Sequence, residues 1–119
     1  MEGSDVAAGL SARPVRPPLT PFRQIVDWLA AEAPVHADGD PTTLITGISL
    51  NSTRIVPGDL YAALPGAFTH GAEFARQALA SGAVAVLTDS VGATMVPTGT
   101  PVAVVDAPRP LLGSLAAKI

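Results

Sequence analysis

The residues able to do chemistry crowd into one stretch, "SLNSTRIVPGDLYAALPGAFTHG", Ser49 to Gly71. It carries hydroxyls at Ser52, Thr53 and Thr69, a guanidinium at Arg54, a carboxylate at Asp59 and an imidazole at His70. It holds no pair of acids, no Cys, no Lys and no Gly-rich phosphate loop. Asp59 follows Pro57-Gly58, where a side chain that accepts backbone donors serves a turn. Arg54 suits either a phosphate or a solvated loop. His70 stands at the mouth of a helix, where it caps or touches a ligand. These groups describe a binding site and identify no catalyst.

The elements that position them follow from periodicity. Thr20-Pro21 reads as a helix start, with Thr as N-cap and Pro at the first helical position. Phe22, Ile25, Val26 and Leu29 then recur at helical spacing, which buries one face, with Trp28 at its edge. Pro34 ends that run, and a loop rich in Asp, Gly and Pro follows from His36 to Pro41. From Leu44 to Leu50 the period is two, giving a strand with Ile48 and Leu50 on one face. Pro57-Gly58-Asp59 is a turn, Asp59 to Leu64 a second strand, and Pro65-Gly66 its end. A helix from about Ala72 to Ser81 turns Phe74, Ala78 and Leu79 inward, with Gly82 as its stop. Ala83 to Thr88 is apolar throughout, as in a sheet covered on both faces. A loop over Ala93 to Thr100, a strand over Val102 to Val105 and a helix over Pro108 to Lys118 complete the order α-β-β-α-β-β-α. The predicted fold is a small α/β domain, with a mixed or parallel sheet of about four to five strands and flanking helices.

In such a sheet, ligands bind at the carboxyl ends of the strands. Ser52 and Thr53 lie where one strand leaves the sheet. Thr69-His70-Gly71 follows the next strand and precedes a helix N-terminus with free backbone N–H groups. Two such loops form one cleft.

Composition limits what the cleft serves. The chain has 119 residues, the size of one domain, with 48% hydrophobic residues and a formal charge of −3. The single Lys, Lys118, and the acidic balance argue against nucleic acid as the main partner, though not against one small anion. Zero Cys excludes a disulfide scaffold and a thiolate nucleophile, and two His make a metal centre unexpected. The longest apolar run, Ala83 to Leu87, is too short to span a bilayer. No signal peptide is evident, so a cytoplasmic protein is expected. Residues 1–19 mix Gly, Ser, Ala, Arg and Pro without periodicity, which predicts a disordered arm ahead of an ordered domain over residues 20–119.

The run "GISLNSTRIVPGDLYAALPGAFTHGAEFARQALASGAVAVLTD" resembles the N-terminal domain of the Mur ligases. The likeness rests on a strand, a Ser-containing turn, Pro-Gly-Asp-Leu, an aromatic, and His-Gly before a helix that ends in Gly-Ala. It covers Ile45 to Asp89, and "PVAVVDAPRPLLGSLAAKI" is similar to the family's continuation toward a linker helix. "LYAALPG" with "THGA" looks most like the MurE branch of high-GC Gram-positive bacteria, with the MurF branch as the alternative. These are cytoplasmic ATP-dependent ligases that build the peptidoglycan stem peptide.

The resemblance implies a role for each candidate residue. In the family this domain holds the UDP end of the substrate, here UDP-N-acetylmuramoyl-L-Ala-D-Glu, to which a diamino acid such as meso-diaminopimelate is added. Leu50 and Ser52 match nucleotide-contacting positions, and Ala67, Phe68 and Thr69 match the uracil-contacting segment. Thr53, Arg54 and His70 are additional candidates, because the family's Asp-Ser-Arg here reads Asn51-Ser52-Thr53 with Arg54 one place on. ATP and Mg²⁺ belong to a central domain with a Gly-Lys-Thr/Ser loop that this chain lacks. The resemblance therefore implies a fragment with no catalytic or metal-binding residue and no cofactor of its own. Its partners would be the nucleotide substrate and its own central ATPase domain, in a monomer. The contrasting expectation is a free-standing α/β interaction module that binds no nucleotide.

Overall fold

Phe22, Ile25 and Leu29, three and four residues apart, line the buried face of α1 (Phe22–Ala30). The structure, a computed structural model, describes residues 19–118. The predicted arm over residues 1–19 thus lies outside the described residues except for Leu19, which is exposed. The helix start differs from the sequence expectation. Pro21 is the N-cap and Thr20 makes no cap; Thr20–Pro21 instead form β1, antiparallel to β3 (Leu44–Ile45). The physical reason lies in the loop before β3. Its carbonyls at Thr43 and Pro41 accept the Phe22 and Arg23 N–H groups at 2.7 and 2.9 Å, so the first turn needs no hydroxyl.

The main sheet has five strands in the order β2-β7-β6-β5-β4. They are β2 (His36–Asp38), β4 (Gly47–Ser49), β5 (Asp59–Ala62), β6 (Ala85–Thr88) and β7 (Val102–Val104). Pairs β4–β5, β5–β6 and β6–β7 are parallel, and β2 is antiparallel to β7. The predicted mixed sheet is therefore the observed one. The predicted strand from Leu44 to Leu50 divides at Thr46, whose N–H leaves the ladder to meet the Gly58 carbonyl at 3.0 Å. β2 went unpredicted because His36 to Pro41 reads as a loop by composition; its partner across the sheet makes it a strand.

Every residue of β5 and β6 is buried, and successive side chains serve opposite layers. Leu60, Ala85 and Leu87 pack with α1 and with Leu111 and Leu115, which belong to the 3₁₀ turn Arg109–Leu111 and to α4 (Leu112–Lys118). Tyr61, Ala63 and Val86 face the other way, against Ala72, Ala78 and Ala83. The second layer opens with a 3₁₀ turn, Gly71–Phe74, before α2 (Ala75–Ala80). This corrects the expected position of Phe74. A 3₁₀ turn advances about 120° per residue, not 100°, so Ala72 and Ala75 point inward and Phe74 is 41% exposed.

Two turns fix the crossovers. Val56-Pro57-Gly58-Asp59 closes with an Asp59 N–H to Val56 carbonyl bond of 3.0 Å, and the Asp59 carboxylate accepts the Val56 N–H at 2.9 Å. Asp59, buried at 6%, is thus a turn acceptor. Gly82 ends α2 with φ of 119°, and its carbonyl receives the Gly58 N–H at 2.9 Å. A Cβ at Gly82 would lie 2.8 Å from the Pro57 Cα. Gly82→Ala is therefore expected to lower unfolding free energy by about 1–3 kcal/mol, read from urea denaturation, through backbone strain and this clash.

Candidate functional site at the carboxyl edge of the sheet

Because β4, β5 and β6 run parallel, the segments that leave them emerge side by side. After β4 comes the loop 50–56. Asn51 organises it: its Oδ1 accepts the Thr53 N–H at 2.9 Å and the Thr53 hydroxyl at 2.7 Å, while its carbonyl accepts the Arg54 N–H at 3.0 Å. Thr53 is thereby used within the loop, and Arg54 and Leu50 are exposed. Ser52 departs from its expected place at an open strand end. It is only 8% exposed, and its side chain faces the Tyr61 hydroxyl.

After β5 the chain makes a small hairpin. Pro65 and His70 pair across it, Gly66 N–H donates to Thr69 carbonyl at 3.0 Å, and Gly71 N–H donates to Leu64 carbonyl at 2.8 Å. The Thr69 hydroxyl donates to Glu73 at 2.6 Å. At the tip, the Phe68 side chain is fully exposed. No hydrogen bond among the described residues engages the peptide groups of Ala67 and Phe68.

Tyr61 meets both loops. Its hydroxyl, on a ring 2% exposed, donates to the Gly71 carbonyl at 2.8 Å. Burial pushes the Tyr61 pKa up, and hydrogen bonding with Ser52 partly opposes that rise. The Tyr61 hydroxyl thus holds the base of the 65–70 hairpin, with Ser52 close to it.

His70 is held at both nitrogens. Nδ1 accepts the Ala72 N–H at 2.9 Å, so the ring proton sits on Nε2, which donates to Asp89 Oδ1 at 2.8 Å. The same oxygen accepts the Gly92 N–H at 2.8 Å and caps α3 (Ser90–Ala93). Of the two uses read from sequence for His70, the geometry uses it as a cap. Neither Asp89 nor Tyr61 stood out in the sequence, and α3 was unpredicted. The available signal was Asp89 itself, an N-cap residue directly after an apolar strand.

Burial raises the Asp89 carboxyl, but the Gly92 N–H and the His70 hydrogen bond outweigh it, leaving the group below its ordinary value. A lowered folded value means that ionised Asp89 stabilises the fold above pH about 4 and ceases to do so as the pH falls through that lowered value. The urea midpoint of the wild type should exceed that of Asp89→Asn at pH 6, with the gap closing toward pH 3.

A hollow of about 400 Å³ lies at the amino end of β7, lined by residues that include Asp38, Ala93, Val96, Thr98 and Val102. None of the residues singled out in the sequence lines it. No cluster of three or more His, Cys, Asp or Glu able to hold a metal exists among the described residues. No helix among them is long and apolar enough to cross a membrane.

The profile of the "Mur ligase family, catalytic domain" matches residues 44–118, well over half of the chain. The chain belongs to the Mur ligase family. It is 50% identical over 108 residues to the UDP-N-acetylmuramoyl-L-alanyl-D-glutamate–2,6-diaminopimelate ligase of Streptomyces coelicolor, covering 90% of this chain and 20% of that protein. Against the UDP-N-acetylmuramyl-tripeptide synthetase of Leifsonia xyli the identity is 41%, with the same coverage. Among solved structures, a crystal structure of MurF from Acinetobacter baumannii aligns with a TM-score of 0.62 and 27% identity, over 82% of this chain and 21% of that one. The chain thus spans about a fifth of the length of the curated Mur ligases it matches. Its sequence is nearer to the diaminopimelate-adding ligases than to MurF, as its Leu-Tyr-Ala-Ala-Leu-Pro-Gly run implied.

Proposed function

We propose that this chain is the UDP-binding N-terminal domain of a diaminopimelate-adding Mur ligase, and that the nucleotide lies across the loops after β4 and β5. The observation that carries this reading is Phe68. A fully exposed aromatic ring crowns a hairpin whose stem is otherwise closed by its own hydrogen bonds. An aromatic held in water on a fixed support is suited to a flat apolar surface, and a nucleobase offers one.

Each candidate residue then has defined work. Uracil presents one N–H between two carbonyls, which the unengaged peptide groups of Ala67 and Phe68 can pair. Phe68 lies against the face of the base, and exposed Leu50 supplies apolar contact from the neighbouring loop. Thr69 holds the hairpin through Glu73 and contributes backbone only. Ser52 offers a hydroxyl proton that can be donated to the diphosphate. Arg54, exposed on the same loop, supplies positive charge near the phosphates. Thr53 and His70 act within their loops.

The residues present do not fit ATP with Mg²⁺. The chain has no Gly-Lys-Thr or Gly-Lys-Ser loop, and the described residues offer no metal cluster. In this reading the activation of the D-glutamyl carboxylate, and the attack of the diamino acid, fall to segments of the relatives that this chain does not cover. The domain contributes affinity for the non-reacting end of the UDP-N-acetylmuramoyl-dipeptide, as a cytoplasmic ligase requires. The better sequence match to diaminopimelate ligases favours that branch over MurF.

Calorimetric titration of the chain with UDP tests the reading. Saturable binding is expected, with Phe68→Ala weakening it on the order of tenfold, since base–aromatic stacking contributes roughly 1–3 kcal/mol. Its thermal midpoint should not move, because the side chain is fully exposed. An absence of saturable binding, or unaltered affinity in Phe68→Ala, contradicts it.

A further inference from the structure

We propose that His70 is a positioning residue for the nucleotide-holding hairpin and that Asp89 is the clamp that sets it. The inference rests on the UDP-binding reading above and deepens it.

A helix cap requires one acceptor, and Ser, Thr, Asp or Asn supplies it with a shorter side chain. His70 meets that need with Nδ1 and reaches with Nε2 to a second element, nineteen positions along the chain. Asp89 sits at the end of β6, whereas the hairpin springs from β5. The pair thus ties the hairpin's last residue to the neighbouring strand. The two side chains are only 9% and 15% exposed, so water competes weakly for the bond.

Packing removes the remaining freedom. A Cβ on Gly92 would stand 2.6 Å from His70 Cε1, so the first turn of α3 lies directly against the imidazole. Below it, the buried Thr88 hydroxyl donates to the Ala63 carbonyl at 2.9 Å, and the Ala63 N–H donates to Leu87 at 2.8 Å. The ring is therefore fixed at both nitrogens and along one edge, on a base that is itself cross-bonded. Pro65 and His70 are the two feet of the hairpin. Fixing the second foot sets the tilt of the tip, and with it the place of Phe68 relative to Leu50 and Ser52. A hairpin already ordered in the free protein loses less entropy when the base binds, which strengthens affinity without touching the ligand.

Asp89→Ser separates this role from a structural one. Serine still caps α3 by accepting the Gly92 N–H, but it is too short to reach His70 Nε2. His70→Asn is the companion variant, keeping the acceptor for Ala72 and losing Asp89. Asp89→Asn retains an acceptor for the ring. Using the full 119-residue chain, amide order parameters of Ala67–Thr69 are measured without ligand, and UDP affinity by calorimetry. For Asp89→Ser and His70→Asn the order parameters should fall from about 0.85 toward 0.6. Affinity should weaken about fivefold to tenfold, the equivalent of losing one hydrogen bond. Asp89→Asn should restore both. A hairpin as ordered as wild type in folded Asp89→Ser and His70→Asn, with affinity retained, overturns the proposal. If the wild type itself does not bind UDP, the functional reading fails, and the order parameters alone still decide whether the clamp exists.

Discussion

The parallel pairing of β4, β5 and β6 is the constraint on which the rest depends. Parallel neighbours cannot be joined by tight turns, so each connection must cross over and re-enter the sheet from the same end. The crossovers cover the sheet, which is why β5 and β6 are buried throughout. The same geometry delivers three segments to one edge: the loop after β4, the hairpin after β5, and Asp89 after β6. The meeting of these segments at that edge is a consequence of topology before any residue type is chosen.

Residue types then specialise the edge. The hydroxyl of Tyr61 holds the base of the second segment, and the His70–Asp89 bond spans the gap between the second and third. Both links run just under the surface, leaving Leu50, Arg54 and Phe68 exposed above them. The division is plain: buried polar groups hold the loops, and the exposed groups are free to meet the nucleotide proposed above. Low exposure suits the first task, because a polar bond shielded from water holds its geometry better.

Much of this was legible in the sequence. Periodicity located α1, the Pro-Gly-Asp turn and the fully apolar β6, because each rests on local pattern or local turn chemistry. The misses share a cause. β2 is a strand only because β7 offers it an edge, and its own residues, His36 to Asp38, carry no strand signal. Thr20 lost its capping role to carbonyls some twenty residues away. Phe74 turned outward because a 3₁₀ turn replaced the first α-turn. At the site, His70 and Ser52 were visible as residue types, but their partners Asp89 and Tyr61 are set by strand adjacency, which no local window contains.

The central claim is that a uridine nucleotide lies against the β5 hairpin. Nuclear Overhauser contacts between the uracil H5 and H6 protons of UDP and protein protons test it most directly. The account expects contacts to the Phe68 ring and the amides of Ala67–Thr69. Contacts confined to other surfaces, such as the hollow around Val96, Thr98 and Val102, would contradict it.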